Sequence, residues 1–361
     1  MPERPTASKQ ALAHLPAVDG VRGVAIALVV AHHLGHFVPL PEPLHTIAER
    51  GFIGVDLFFV LSGYLITTIL LYGRGRPDQL RVFWIRRVLR IVPLAYLYLV
   101  VLFVLHGVLR WPDGREIPWQ IWASGFGYVS NIWYALNGWP PEGTLAILWS
   151  LSVEEQFYLL WPLLVRWLRP RWVGVVAIAV VIASPFARLW AAEVLGNTAS
   201  FVLTLGRFDG LAMGGLLALV LQSSMRDRVL RASRWLVIPA SVVAYLVAGP
   251  ELWGSAHLWH QSRPTSLALC FVLIVAASVE PGPIGKWVLG NRPLRRLGEV
   301  SYGVYVWHYV LLLVTMRLLG TPGAHPVPLI VTWLLGLWAV SQASFRYWER
   351  PFLALKARLA S

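Results

Sequence analysis

The chain has 361 residues, of which 57% are hydrophobic and only 14% are charged. A typical soluble domain is about 25% charged, and several apolar runs here reach the roughly 18 residues that cross the hydrocarbon core of a bilayer. These features exclude a water-soluble globular protein and predict a polytopic α-helical membrane protein. The net charge of +13 could also indicate nucleic-acid binding, but the basic residues lie between the apolar runs, which argues against that partner.

Ten apolar stretches are long enough to be membrane-spanning helices. Their predicted bounds are 18–36, 52–72, 91–109, 146–165, 172–190, 200–221, 235–250, 265–280, 299–319 and 327–345. Because these spans use most of the chain, residues 1–361 are predicted to form one all-α membrane domain. A short segment at 1–15 precedes the first span, and a tail at 346–361 follows the last.

The basic residues predict the orientation of this bundle. If the N-terminus is cytoplasmic, most of the 31 lysine and arginine residues fall in cytoplasmic segments, as the positive-inside rule requires. Both termini are therefore predicted to be cytoplasmic. A Trp-rich stretch at 117–137 would move all later loops to the other side if it crossed the membrane. It is predicted to be an interfacial or re-entrant piece on the outer side, with an eleventh crossing helix as the alternative.

The first span carries Arg22 and His33, which are eleven residues apart. At 3.6 residues per turn this spacing is almost three turns, so both side chains lie on one helix face, about 16 Å apart along the axis. An arginine and an imidazole are expensive to place in an apolar helix and usually mark a functional site there. The pair therefore predicts chemistry within the membrane.

The second span begins with GFIGVDLFFVLSGYLIT at 51–67. Asp56 lies among apolar residues near the predicted outer boundary, where an ionised carboxylate requires a partner, and His33 is the expected one. The small residues Ser62 and Gly63 would let a neighbouring helix or a thin ligand approach closely. Ordinary helix packing is the alternative explanation for that small pair.

A basic cluster lies where a cytoplasmic loop enters the third predicted span. Arg86 and Arg90 are four residues apart, and Arg87 lies beside them. Guanidinium groups bind phosphate through paired hydrogen bonds, so the cluster is predicted to hold a polyanionic ligand from the cytosol. The alternative is a cluster that sets the topology beside anionic lipid.

Two adjacent carboxylates lie about two turns inside the fourth predicted span, in LWSLSVEEQFYLLWP at 148–162. Glu154 and Glu155 point about 100° apart on a helix, so they are expected to have different surroundings and roles. One of them could act as an acid or base after desolvation. The alternative is a structural salt bridge to Arg207.

Further buried polarity occurs in the sixth and ninth predicted spans. Arg207 and Asp209 lie in LGRFDGLAMGGLLA at 205–218, and LGEVSYGVYVWHYV at 297–310 carries Tyr305 and His308 on one helix face. Ser301 lies one turn before Tyr305. A single helical histidine is often a structural residue, so His308 is a supporting candidate.

This ordered set of motifs resembles acyltransferase family 3, the integral membrane O-acyltransferases that acetylate bacterial surface polysaccharides. The resemblance covers residues 16–310 and rests on six motifs. They are R-x10-H at Arg22 and His33, GVDLFFVLSG at 54–63, RRVLR at 86–90, WSLSVEEQFY from Trp149 to Tyr158, RFDGLAMG at 207–214 and SYGVYVWH at 301–308.

The resemblance implies transfer of an acyl group, usually acetyl, from cytosolic acyl-CoA to a hydroxyl, often on a sugar, at the bacterial cell membrane. It implies that His33 is the family histidine, that Glu154 is the family glutamate and that the basic pair lies among Arg86, Arg87 and Arg90. The donor that it implies is acetyl-CoA or another acyl-CoA, and no permanently bound cofactor is implied. The single cysteine excludes disulfides and thiolate clusters, and no metal site is predicted.

The chemistry of these side chains suits such a transfer. A neutral imidazole at His33 can accept the proton of an alcohol, and Glu154 could orient that imidazole. Arg207 or Arg22 could stabilise the oxyanion in a dry site, and direct transfer without an acyl-enzyme is the hypothesis. A proton-coupled transporter or flippase that uses the same residues as a relay is the main alternative. A structural membrane protein would not explain so many buried polar groups.

Overall fold

The structure, a computed structural model, describes residues 15–111, 114, 116–249, 257–320 and 326–358. The predicted N-terminal segment, except residue 15, and the last three residues of the predicted tail lie outside this part. Within it the chain is helical and has no β-strand. Its ten helices of 17 or more residues, labelled in chain order, are α1 Pro16–Phe37, α2 Ile53–Tyr72, α3 Gln79–Leu102, α4 Leu148–Trp167, α5 Pro170–Val194, α6 Thr204–Val220, α7 Arg226–Ala248, α8 His257–Val279, α9 Ser301–Leu319 and α10 Val327–Ala343.

Nine stretches of the described chain are long and apolar enough to cross a membrane. They include all of these helices except α4, which has 20 residues but carries three consecutive polar residues, Glu154, Glu155 and Gln156. Those residues lower its mean hydropathy, although 20 residues of helix span about 30 Å, the thickness of the hydrocarbon core. The predicted all-α membrane bundle is confirmed.

The Trp-rich stretch at 117–137 forms two short helices, Trp119–Phe126 and Ser130–Asn137. Each has eight residues and a length of about 12 Å, which is too short to cross the hydrocarbon core. The eleventh crossing helix is therefore not formed, because the chain turns at Gly127 and at Tyr128, whose φ of 53° ends the first helix.

Several helix bounds differ from the prediction. Helix α3 begins at Gln79 rather than at 91, so the arginines at 86–90 lie on the helix itself. The sixth predicted span is divided at Leu203 into a short helix, Asn197–Val202, and α6. After α10 the chain continues as a π-helical turn and a helix, Arg350–Arg358, so much of the predicted tail is helical.

Helix α2 lies at the centre of the bundle and contacts α1, α4, α6 and α8. Its approach to α6 is close because glycines face the opposite backbone. A Cβ atom added at Gly63 would lie 1.9 Å from the Leu211 carbonyl oxygen, and one at Gly214 would lie 2.1 Å from that of Val60. Gly63 and Gly214 therefore allow α2 and α6 to pack closely, and the sequence suggested such packing at Gly63.

Candidate active site

Helix α1 places Arg22 and His33 in two different cavities. Arg22 lines a cavity of about 550 Å³ at the end of the bundle that the charge pattern predicts to be cytoplasmic. His33 lines a cavity of about 210 Å³ nearer the predicted outer end. We call them the arginine cavity and the His33 cavity. Val55 and Tyr305 line both, so the two cavities are neighbours.

Three guanidinium groups contribute to the wall of the arginine cavity. Arg22 donates a 3.1 Å hydrogen bond to the Ser301 hydroxyl. Arg87 and Arg90 lie on the same face of α3, three residues apart, and both line the cavity, whereas Arg86 does not. Arg86, the third residue of the predicted ligand-binding set, does not line this cavity, and its role stays a prediction.

Glu154 lies in the arginine cavity and is hydrogen-bonded to α2. Its Oε1 atom accepts a 2.6 Å bond from the Ser62 hydroxyl, which in turn accepts a 3.2 Å bond from Tyr158. The expected role of Glu154 in orienting His33 is wrong for this structure, because neither side chain is hydrogen-bonded to the other. Glu155 points elsewhere, as expected from the helix geometry, and its Oε1 atom is buried without a hydrogen bond.

The His33 imidazole is oriented by a backbone carbonyl and by a second imidazole. Its Nδ1 atom lies 3.0 Å from the Val29 carbonyl oxygen and 3.2 Å from Nε2 of His308. The Nδ1 atom of His308 lies 2.6 Å from the Tyr305 carbonyl oxygen. Carbonyl oxygens only accept, so each Nδ1 carries the proton. His33 Nδ1–H is then shared between Val29 and His308, and His33 Nε2 keeps a free electron pair.

Asp56 and Arg207 form a buried ion pair beside the His33 cavity. Arg207 Nη2 donates a 2.6 Å bond to Asp56 Oδ1, and the two side chains are 3% and 8% exposed. The expectation that Asp56 pairs with His33 is therefore wrong. A salt bridge between Arg207 and Glu154, which the sequence offered as the alternative to an acid–base role for that carboxylate, is not formed either. Arg207 also lies against the rings of Phe59, Trp149 and Phe201, at 5.5, 5.2 and 5.3 Å from the ring centroids.

Asp209 has a different partner from its sequence neighbour Arg207. Arg188 Nη1 donates a 2.9 Å bond to Asp209 Oδ2, and Thr265 donates a 2.5 Å bond to the same oxygen. Arg188 is only 2% exposed. Arg188 was not among the residues predicted from the motifs, although an arginine within a predicted span indicates a buried partner.

Tyr305 forms the boundary between the two cavities. Its hydroxyl lies 2.5 Å from the Ser150 hydroxyl and donates a 3.0 Å bond to the Ile147 carbonyl oxygen. These bonds fix the ring between α9 and the start of α4. The sequence indicated Tyr305 only by its spacing from His308, and Ser150 only as a member of the WSLSVEEQFY motif. The sequence could have indicated Tyr158 as a site residue, because it follows Glu154 by four residues and lies on the same helix face.

Known proteins with similar sequences show the family of this chain. A family model described as an acyltransferase domain matches residues 15–342. The peptidoglycan O-acetyltransferase OatA of Listeria monocytogenes is 30% identical, over 94% of this chain and 56% of that protein. The putative peptidoglycan O-acetyltransferase YrhL of Bacillus subtilis is also 30% identical, over 94% and 55%. For the O-acetyltransferase OatA of Staphylococcus aureus the identity is 28%, over 94% and 57%. The chain thus spans about half the length of these relatives, and no solved structure matches it.

Proposed function

This chain belongs to the acyltransferase domain family, and on that premise we propose that it is a membrane O-acetyltransferase. It moves an acetyl group from cytosolic acetyl-CoA to a carbohydrate hydroxyl at the outer side of the cell membrane. One observation carries the proposal: Tyr305 and Val55 lie between a cavity lined by Arg22, Arg87 and Arg90 and a cavity lined by His33. A phosphate-bearing donor and a hydroxyl acceptor need those two kinds of surroundings.

The donor occupies the arginine cavity in this proposal. Arg22, Arg87 and Arg90 bind the phosphates of coenzyme A near the cytoplasmic end, because guanidinium groups match phosphate geometry. The long, thin pantetheine arm then extends toward Tyr305. Glu154 and Ser62 line the same cavity, and the carboxylate can accept a hydrogen bond from a pantetheine amide N–H. Glu154 therefore acts on the donor rather than on the base.

His33 acts as the general base. Its Nε2 takes the proton of the acceptor hydroxyl while the oxygen attacks the thioester carbonyl carbon. The imidazolium that forms is stabilised through Nδ1–H by His308 and the Val29 carbonyl. Arg207 lines the His33 cavity and stabilises the oxyanion of the tetrahedral intermediate. The carbon–sulfur bond then breaks, and the coenzyme A thiolate takes the proton from His33.

The acceptor enters the His33 cavity from the outer end. Trp139 and Trp149 line this cavity and offer flat apolar surfaces for a sugar ring. The names of the Listeria and Bacillus relatives specify peptidoglycan, so we propose a peptidoglycan-type carbohydrate as the acceptor class. The acetyl group is the proposed acyl group, since those relatives are named O-acetyltransferases.

The test is acetyl transfer by purified protein. Labelled acetyl-CoA is mixed with the protein and with oligosaccharides bearing free hydroxyls, and both released thiol and acetylated sugar are measured. His33→Ala is expected to abolish transfer, whereas His36→Ala, an exposed histidine in the last turn of the same helix, is the matched control. Equal activity of the wild type and His33→Ala would refute the role of His33. Proton-coupled sugar transport without thiol release would favour the transporter alternative.

A further inference from the structure

A third cavity of about 280 Å³ adjoins the His33 cavity at the predicted outer end of the bundle. We call it the Arg263 cavity, and its polar walls come from Asp56, Arg188, Arg207 and Arg263 together with His260 and Gln261. Phe52, Phe201 and Arg207 line both this cavity and the His33 cavity. A molecule in the His33 cavity can therefore extend a substituent into the Arg263 cavity.

Cations outnumber anions at this cavity. Arg188 and Arg207 each form a buried ion pair, with Asp209 and Asp56 respectively. Arg188 also bonds to Thr265 and to the backbone of Gly206 and Gln261, so four of its five guanidinium N–H donors are used within the protein. The described residues offer no third carboxylate in hydrogen-bond contact with the third guanidinium, that of Arg263.

Arg263 is held in place without a hydrogen bond or a close ion pair among the described residues. Its guanidinium lies over the Phe52 ring, 5.0 Å from the centroid. This contact fixes the flat face of the group and leaves its N–H donors unused by the described residues. Arg263 therefore offers unoccupied donors to this small space.

We propose that the Arg263 cavity binds an oxyanion of the acceptor, a carboxylate or a phosphate, while the reacting hydroxyl lies against His33. The proposal rests on the proposed function and makes it more specific, because it restricts the acceptor to anionic carbohydrates. An oxyanion balances the extra positive charge and accepts the free N–H donors, and such charge-assisted bonds are stronger than neutral ones. The carboxylate can be part of the sugar itself, whereas the phosphate can link the sugar to a lipid carrier.

The test is equilibrium binding of matched probes to the full-length protein. N-acetylmuramic acid is compared with its methyl ester, which has the same ring without the negative charge. N-acetylglucosamine 1-phosphate is compared with N-acetylglucosamine. The wild type is expected to bind one charged probe at least about tenfold more tightly than its neutral partner, the usual size of a charge-assisted hydrogen bond. The pair that shows the difference identifies the carboxylate or the phosphate as the source.

Arg263→Gln is expected to remove this preference and to leave the affinity for the neutral probes unchanged. Arg317→Gln is the matched control, since Arg317 is exposed in the last turn of α9 and lines none of the three cavities. A thermal unfolding midpoint equal to that of the wild type shows that Arg263→Gln is folded. Arg207→Gln would not test the oxyanion site alone, because it would also break the ion pair with Asp56.

The outcomes separate this proposal from the proposed function. Equal affinity of the wild type for charged and neutral probes, or a preference that Arg263→Gln retains, would overturn the oxyanion site. Acetyl transfer to neutral sugars could still occur in that case. A charge preference that depends on Arg263 supports the site even if purified protein transfers no acetyl group, a result that would count against the proposed function alone.

Discussion

Nδ1 of His33 lies 3.2 Å from Nε2 of His308, and the rings meet edge to face with centroids 4.8 Å apart. The bond from His308 Nδ1 to the Tyr305 carbonyl fixes the second ring, so His308 presents a lone pair to His33. In the proposed mechanism His308 is thus a positioning residue that holds His33, the proposed base, in one tautomer. An imidazole rather than a carboxylate occupies the place where a triad has its acid.

His308→Phe is therefore expected to lower kcat by about tenfold or more, because it removes a hydrogen bond that favours the His33 imidazolium. His308→Gln keeps an oxygen that can accept from His33 Nδ1–H and is expected to retain more activity. The KM for acetyl-CoA stays unchanged in both variants, since His308 does not line the arginine cavity. Steady-state kinetics with varied acetyl-CoA at saturating acceptor measure both kcat and this KM. A rise in that KM with unchanged kcat would contradict the role given to His308.

The double variant Arg87→Ala/Arg90→Ala is expected to weaken acetyl-CoA binding by about tenfold or more, because hydrogen bonds to charged groups contribute about 1.5–3 kcal/mol each. Arg86→Ala is the matched control, because Arg86 lies on the same helix but away from the cavity wall. Isothermal titration with coenzyme A measures the dissociation constants. The assignment of the donor site fails if the control weakens binding as much as the double variant.

The Asp56–Arg207 pair predicts a non-additive effect on stability. Asp56→Asn leaves a buried guanidinium without its carboxylate, a change that costs about 3–5 kcal/mol in proteins. The double variant Asp56→Leu/Arg207→Met removes both charges and is expected to unfold at a higher temperature than Asp56→Asn. Thermal unfolding in detergent tests this order. Transfer is expected to be lost in the double variant, because no guanidinium then faces the His33 cavity. A double variant that unfolds at a lower temperature than Asp56→Asn would argue against a direct pair.

Gly214→Ala is expected to lower the unfolding temperature, because its Cβ would overlap the backbone of α2. Overpacking of this kind costs about 1–3 kcal/mol. Gly336→Ala is the control, since Gly336 lies in α10 with no atom within 4 Å of the added Cβ. Replacing glycine by alanine in an open helical position is stabilising or neutral. Equal behaviour of the two variants would show that the α2–α6 contact is looser than described.

Hydropathy predicted the ten long helices because each apolar run has the length of a bilayer crossing. The same signal could not locate the start of α3, since Gln79 and the residues after it are polar enough to be read as a loop. Motif spacing placed Arg22 and His33 on one face, and it selected His308 as a neighbour of Tyr305. These predictions depend only on the geometry of a single helix.

The partners of the buried charges could not be predicted in this way. Asp56 lies near His33 along the membrane normal, but the packing of α2 on α6 brings it to Arg207 instead. Glu154 was expected to orient His33, yet it faces Ser62 on α2. The rotation of each helix about its own axis decides such pairs, and a single sequence does not specify that rotation.

In the proposed mechanism the donor binds at the cytoplasmic end, and His33 activates an acceptor near the outer end. The most direct measurement uses inside-out membrane vesicles with an acceptor sugar enclosed in the lumen. Labelled acetyl-CoA, which does not cross membranes, is added outside. The wild type is expected to produce labelled acceptor within the lumen, whereas His33→Ala produces none and His36→Ala behaves as the wild type. Labelled acceptor formed only when both substrates are on one side of the membrane would contradict the account.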